Sequence, residues 1–295
     1  MTLLSKNELA TIERQMYNKA RDIDVALYNY ISGQMPNDFV GYALTMYQNR
    51  DGGFGHGLHN DNLNPNSTVF QTLEALRYIS YASLDLKNED NAQMVKRIFN
   101  YLFNKKNEYS TYDESNLGFA CAESYRNKLL AVDLTPEVLG RAIAMQDEKS
   151  PYYRKAITLL SKVDSELLKR DSLSFIELQG YHILFNALEK KSLDVNQEAY
   201  YYYIKLRNKY IENLQINSNN YFEILELLDD RFEYSDKIEE ALKKMKEELK
   251  SHGLYEATTS WDNSYPEGES AKLKWLGTRT VLNLILFNKF QEIEE

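Results

Sequence analysis

Four side chains able to move a proton or ligate a metal stand within eleven residues: Asp51, His56, His59 and Asp61. Imidazole titrates near neutrality, so a histidine beside a carboxylate can serve as general acid or base. His56-x-x-His59 with Asp61 also supplies two imidazoles and one carboxylate, the donor types of a zinc site. The same groups in a glycine-dense loop can instead bond the loop backbone and cap helix ends. The catalytic candidates are His56, Asp61 and Asp51, and His59 is a ligand-binding candidate. No metal and no cofactor is assigned.

A second set gathers near the C-terminus. Trp261, Asp262, Tyr265, Glu267, Glu269, Trp275 and Arg279 bring both tryptophans of the chain within fifteen residues. Aromatic faces beside carboxylates suit a sugar, and a carboxylate pair is what glycoside cleavage needs. The same rings can line an apolar cavity, or Trp275 can be a core wedge and Trp261 a loop anchor. The ligand-binding candidates here are Trp261, Asp262, Tyr265, Trp275 and Arg279. The loop and this segment are expected to meet at one mouth.

The elements that must position these groups read as helices. Ser5-Lys6-Asn7-Glu8 has the form of a capping box, and the spacing predicts one helix over 5–30. Gly33 and Pro36 end it. A second helix follows to Tyr47, with Phe39, Val40, Ala43, Leu44 and Tyr47 inward. Gly52, Gly53, Gly55 and Gly57 then fall within six residues around an apolar anchor, Phe54. Asn66 or Ser67 is the expected cap of the next helix, whose stripe is Val69, Leu73, Leu76 and Ile79.

Further helices are predicted over 90–104, 117–131, 171–188 and 195–214, and Thr135-Pro136 and Ser150-Pro151 each announce one. A helix over 235–251 carries Ile238, Leu242, Met245 and Leu249, and Gly253 stops it. A last helix runs through Leu284. Glu123 and His182 stand alone on apolar stretches and read as satisfied structural groups.

Composition excludes some classes. The net charge is −9, with no diffuse basic face for nucleic acid. No apolar run approaches the ~18 residues of a membrane span. One cysteine, Cys121, cannot form an internal disulfide and reads as a small buried side chain. The expectation is a cytoplasmic chain with a small-molecule ligand. Twenty-three tyrosines suit a partly wet cavity and ordinary helix packing equally.

Gln48-x-x-Asp51-Gly52-Gly53-Phe54, followed by Thr72-x-x-x-Leu76, resembles the repeat of terpene cyclases and protein prenyltransferase β-subunits. DGGFGHGL and the proline-containing loop after it resemble bacterial prenyltransferase/squalene-cyclase-like proteins. Thr280-x-x-x-Leu284 echoes the pattern about 208 residues on. The resemblance covers about a tenth of the chain. It implies an all-α fold, an α/α toroid of about six helical hairpins in a single domain over 1–295; an open α-superhelix is the alternative. It also implies a central cavity for an isoprenoid or similar small molecule. The family's chemistry is not carried over: the D-x-D-D acid and the D-D-x-x-D diphosphate motif are missing, and Phe119 stands where a D-x-C zinc pair would need its aspartate. A carbohydrate-active α/α-barrel hydrolase or lyase, and a non-catalytic binding module, remain open beside it.

Overall fold

The computed structural model describes residues 4–105, 108–251 and 266–290. They form thirteen α-helices, two 3-10 turns and four isolated backbone bridges, with no strand among the described residues. None of these helices is long and apolar enough to cross a membrane.

The chain opens with α1 (Lys6–Lys19) and α2 (Asp22–Ile31). The capping box forms in both directions: Ser5 Oγ accepts the Glu8 N–H, and Glu8 accepts the Ser5 N–H. The single helix expected over 5–30 is broken, because Ala20 and Arg21 are extended. The cause is tertiary. Gly277 of the last helix lies against Ala20, where a β-carbon would come within 2.5 Å of the alanine methyl. Arg21 turns away to bond the carbonyls of Gly57 and Leu58.

Helix α3 (Asp38–Thr45) buries Val40 and Leu44 but leaves Phe39 exposed, against expectation. The glycine loop then crosses to α4 (Val69–Tyr81). Gly52 has φ of +94°, and a β-carbon there would sit 2.3 Å from the Arg97 carbonyl oxygen, so no other residue fits. Phe54 is fully buried, as its role of anchor requires, and its N–H donates to Thr72 Oγ1 (3.0 Å). Gln48 donates to the carbonyls of Gly52 and Met94, tying the loop to α5 (Glu89–Phe103). The cap of α4 is Thr68, one residue past Ser67 and two past Asn66.

The helix predicted over 117–131 does not form. In its place are a 3-10 turn at Glu114–Gly118, the four-residue α6 (Glu123–Arg126) and a second 3-10 turn at Lys128–Leu130. Its backbone is engaged elsewhere: the Ala120 carbonyl accepts the Leu63 N–H, and the Ala122 N–H reaches the Asp61 carbonyl. Leu129 is 94% exposed and packs on no core.

The rest is regular: α7 (Thr135–Met145), α8 (Pro151–Leu167), α9 (Phe175–Lys190), α10 (Gln197–Asn213), α11 (Tyr221–Leu227), α12 (Ser235–Ser251) and α13 (Glu267–Lys289). Ser150 caps α8 ahead of its proline, and all four stripe residues of α12 are buried. Helix α13 starts well before the predicted point and carries Trp275 and Arg279 within it. Along the chain, α2 packs on α3, α3 on α4, α4 on α5 and α7, α7 on α8 and α9, and α9 on α10 and α11. Helix α11 packs on α12 and α13, and α13 also packs on α1 and α2.

Candidate functional site

Asp51 and His56 face outward on the glycine loop. Asp51 Oδ1 accepts the Gly53 N–H (3.0 Å) and the Ser67 hydroxyl (2.7 Å), which holds the turn shut. His56 is exposed, has φ of +58°, and bonds Asn49 through Nε2 (2.9 Å). His59 and Asp61, a few residues on, are buried. The loop therefore divides its four polar groups, and the structure does not bring Asp51 and His56 together with the other two. Among the described residues no group of three metal-ligating side chains converges.

The loop and the C-terminal segment do meet. Trp275 Nε1 donates to Asp61 Oδ1 (2.9 Å), and Asn60 Nδ2 donates to Thr278 Oγ1 (2.8 Å). The ring of His59 lies edge-on to Trp275 at 5.4 Å. Trp261, Asp262 and Tyr265 lie outside the described residues.

His59, Asp61, Trp275 and Arg279 open on one cavity of about 180 Å³. Helix α4 adds Phe70, Glu74, Arg77 and Tyr81, and α6 adds Tyr125. From the far side α9 contributes Phe175 and Gln179, and α11 contributes Phe222, Glu223 and Glu226. Six stretches distant in sequence thus supply one lining.

Its electrostatics are uneven. Burial drives the His59 imidazole down to about 3, with the charges of Arg77 and Arg21 adding to the effect. His59 is therefore neutral at physiological pH and is no general base there. Its Nδ1 lies 3.4 Å from both the Asp61 N–H and the Tyr125 hydroxyl. Both can donate, so Nδ1 accepts and the ring proton sits on Nε2.

Burial raises the carboxyls of Glu74, Glu223 and Glu226. Arg77 and Arg21 oppose the rise at Glu74, and Arg279 and Arg77 oppose it at Glu226. Glu226 also accepts from Gln179, and Glu223 from the Tyr210 hydroxyl (2.6 Å). Behind the lining, Glu137 works the other way. Burial disfavours its charge, but Arg77 holds it at 2.8 and 3.1 Å and Arg141 at 3.4 Å, and together they lower it. Arg279 lies over the Phe222 ring, 3.6 Å from its centre. This is a set for hydrogen bonding and proton transfer, walled by flat rings.

Glu74, Arg77, Glu223 and Glu226 were not singled out from the sequence. A signal was present: each pair stands at i, i+3 in a helix that is otherwise uncharged, VFQTLEALRYISY and YFEILEL. Charges so placed need partners inside the protein. The remaining singled-out groups are structural. Cys121 is fully buried and pushed up to about 11 by that burial. His182 contacts the Tyr203 hydroxyl (3.3 Å), Asn186 and Asp229 (both 3.1 Å), and Glu123 accepts from Asn127 (3.0 Å).

No protein-family model, no curated protein and no solved structure matches this chain.

Proposed function

We propose that the chain is a closed α/α toroid whose central cavity binds a small polar molecule. The return of α13 to α1 and α2 supports closure, since an open superhelix would leave its two ends apart. The inner ring would be α2, α4, α7, α9, α11 and α13, and the outer ring α1, α3, α5, α8, α10 and α12. The ties made by Gln48 and Phe54 agree with the terpene cyclase and prenyltransferase likeness of the loop.

One observation carries the ligand reading: Asp61, Glu74, Glu223 and Glu226 converge with Trp275, Phe70 and Phe222 on one cavity. An isoprenoid chain would want an apolar wall, and an isoprenoid diphosphate would meet carboxylates, so the likeness extends to fold rather than to substrate. The lining instead favours the second expectation, a carbohydrate-type ligand. Carboxyls raised by burial stay protonated to higher pH and can donate a proton, as hydrolase or lyase chemistry requires. The function proposed is thus binding of a sugar-sized polar molecule, with Glu74 and Glu226 as the groups available for acid–base work.

A thermal-shift panel of monosaccharides, amines, carboxylates and isoprenoid alcohols tests this. Stabilisation by a polar compound, lost in Glu226→Gln and kept in His56→Ala, is the expected result. Stabilisation confined to isoprenoids and unchanged in Glu226→Gln would overturn it.

A further inference from the structure

Helix α3 turns an apolar stripe to solvent. Phe39 and Tyr42 in the helix and Met46 at its C-terminal cap follow three- and four-residue spacing, and they are 47, 67 and 78% exposed. The rings of Phe39 and Tyr42 meet edge-on, their centres 6.4 Å apart. Met35, on the turn ahead of the helix, is exposed as well. Tyr201, Phe232 and Leu273 are exposed singly, which any surface tolerates. A stripe along one helix face calls for a cover.

The charge beside the stripe says what covers it. Tyr42 also lines a groove of about 320 Å³ between α3 and α5. The two helices run in the same direction along it: Gly41 faces Asn91, Gln48 donates to the Met94 carbonyl, and Arg97 donates to the Asn49 carbonyl (2.7 Å). Asp38 and Asp90 therefore stand at one end of the groove. Arg97 stands at the other, with the exposed Arg50 next to Asn49. Asp38, Asp90 and Arg50 have no ion-pair partner among the described residues. Lys87 and Glu89, on either side of Asn88 at the acidic end, offset each other. The face is thus balanced in a chain of net charge −9. Most of so acidic a surface repels a second copy, and this face does not.

A surface with opposite charge at its two ends is its own complement once turned about a two-fold axis. We infer that a second copy of this chain covers it. The two α3 helices lie antiparallel across an axis at Tyr42. Tyr42 then faces the partner's Tyr42, Phe39 meets the partner's Met46, and Asp38 approaches the partner's Arg50. None of the residues lining this groove lines the cavity, so the pairing stands apart from the ligand reading. A contact of this size gives a weak dimer, with a dissociation constant on the order of 10–100 µM.

Sedimentation equilibrium of the full chain from about 1 to about 500 µM, a range that spans this constant, tests the pairing. The weight-average mass should climb from 34.5 kDa toward twice that value. Tyr42→Glu and Tyr42→Arg each set like charges across the axis and should weaken the dimer about ten-fold or more. Tyr42 is exposed, so both variants should melt with the unaltered chain. An equimolar mixture of the two should dimerise again, since the carboxylate of one copy then faces the guanidinium of the other. Asp38→Arg should weaken the dimer by repelling the partner's Arg50.

A chain that stays monomeric at the highest concentration would overturn the pairing and leave the stripe to a different partner. A dimer that keeps its strength in Tyr42→Glu, or that the mixture fails to restore, would overturn the two-fold at Tyr42. A dimer indifferent to Asp38→Arg would overturn the antiparallel arrangement.

Discussion

Two buried polar clusters flank α4 and α13, and they differ in whether they fill the interior or line a cavity. At the first, Arg21 and Asp24 meet at 2.8 Å. Asp24 also accepts from the Tyr78 hydroxyl (2.5 Å) and from Thr278 (3.1 Å). The other nitrogens of Arg21 bond the Gly57 and Leu58 carbonyls and Thr278. One cation and one anion thus tie α2, the glycine loop, α4 and α13 into one knot. Burial acts to lower Arg21, but Asp24, Tyr78 and Tyr47 together outweigh it, and the guanidinium is held well above its usual range. At the second cluster, in the cavity, burial raises the carboxyls of Glu74, Glu223 and Glu226, and the ring of His59 faces the space. The knot serves the fold; the groups that line a cavity are the ones a ligand would meet under the function proposed above.

The contrast can be broken most sharply at the knot. Asp24→Ala leaves Arg21 buried without its anion and should cost about 3–5 kcal/mol. Denaturant unfolding checks this; a loss under about 1 kcal/mol would mean that the knot is not what holds these helices.

The next largest effect is a pH limb. The unfolded His59 takes a proton near pH 6.5, whereas the folded ring resists until about 3. The unfolded state then binds more protons, so this contribution is complete above pH 6.5 and is lost as pH falls toward 3. The loss is about 3 kcal/mol by pH 4.5, at about 1.4 kcal/mol per unit. The raised glutamates act in the opposite sense, so the comparison is with His59→Gln, whose acid limb should be shallower by that amount. Equal limbs would mean that the imidazole is protonated in the folded chain.

Removing Asp61 tests the join between loop and C-terminal helix. Asp61→Ala leaves Trp275 Nε1 without its acceptor and should cost about 1–3 kcal/mol. Asp51→Ala, which unties the turn at Gly53 and Ser67, should fall in the same range, and melting temperatures rank the two. In the cavity, Glu226→Gln should change stability by less than about 1 kcal/mol in either direction, because burial, which disfavours the charge, is opposed by Arg279, Arg77 and Lys289, which favour it. A large loss there would move Glu226 into the structural class. The smallest effect is expected at His56→Ala, within about 0.5 kcal/mol, since its one bond is on the surface.

Much of the scaffold was legible. The capping box at Ser5, the proline-led starts of α7 and α8, the stripe of α12 and the buried anchor Phe54 follow from rules that operate within a few residues. The failures share one cause. Helix 5–30 breaks at Ala20 because Gly277, more than 250 positions away in sequence, needs that space. The stretch after Leu117 gives up its helix because the loop at Asp61 uses its backbone. Of the site, His59, Asp61, Trp275 and Arg279 were found from residue type and proximity, but Asp51 and His56 face the other way. Glu74 and Glu226 were passed over because a charged residue on a helix is ordinarily solvated.

By itself, then, the sequence determined the helices, their caps and the glycine turn, since these depend on local sterics and on hydrogen bonds to near neighbours. It also determined which chemical groups the loop could offer. Which of those groups face inward was decided only when α13 packed on α1 and α2 and laid Trp275 and Thr278 against the loop. That contact brings residues more than 200 positions apart within hydrogen-bond distance. The same packing buries Glu74 and Glu226 and sets the protonation of His59, because burial and neighbouring charge are properties of the assembled interior and of no single stretch of chain.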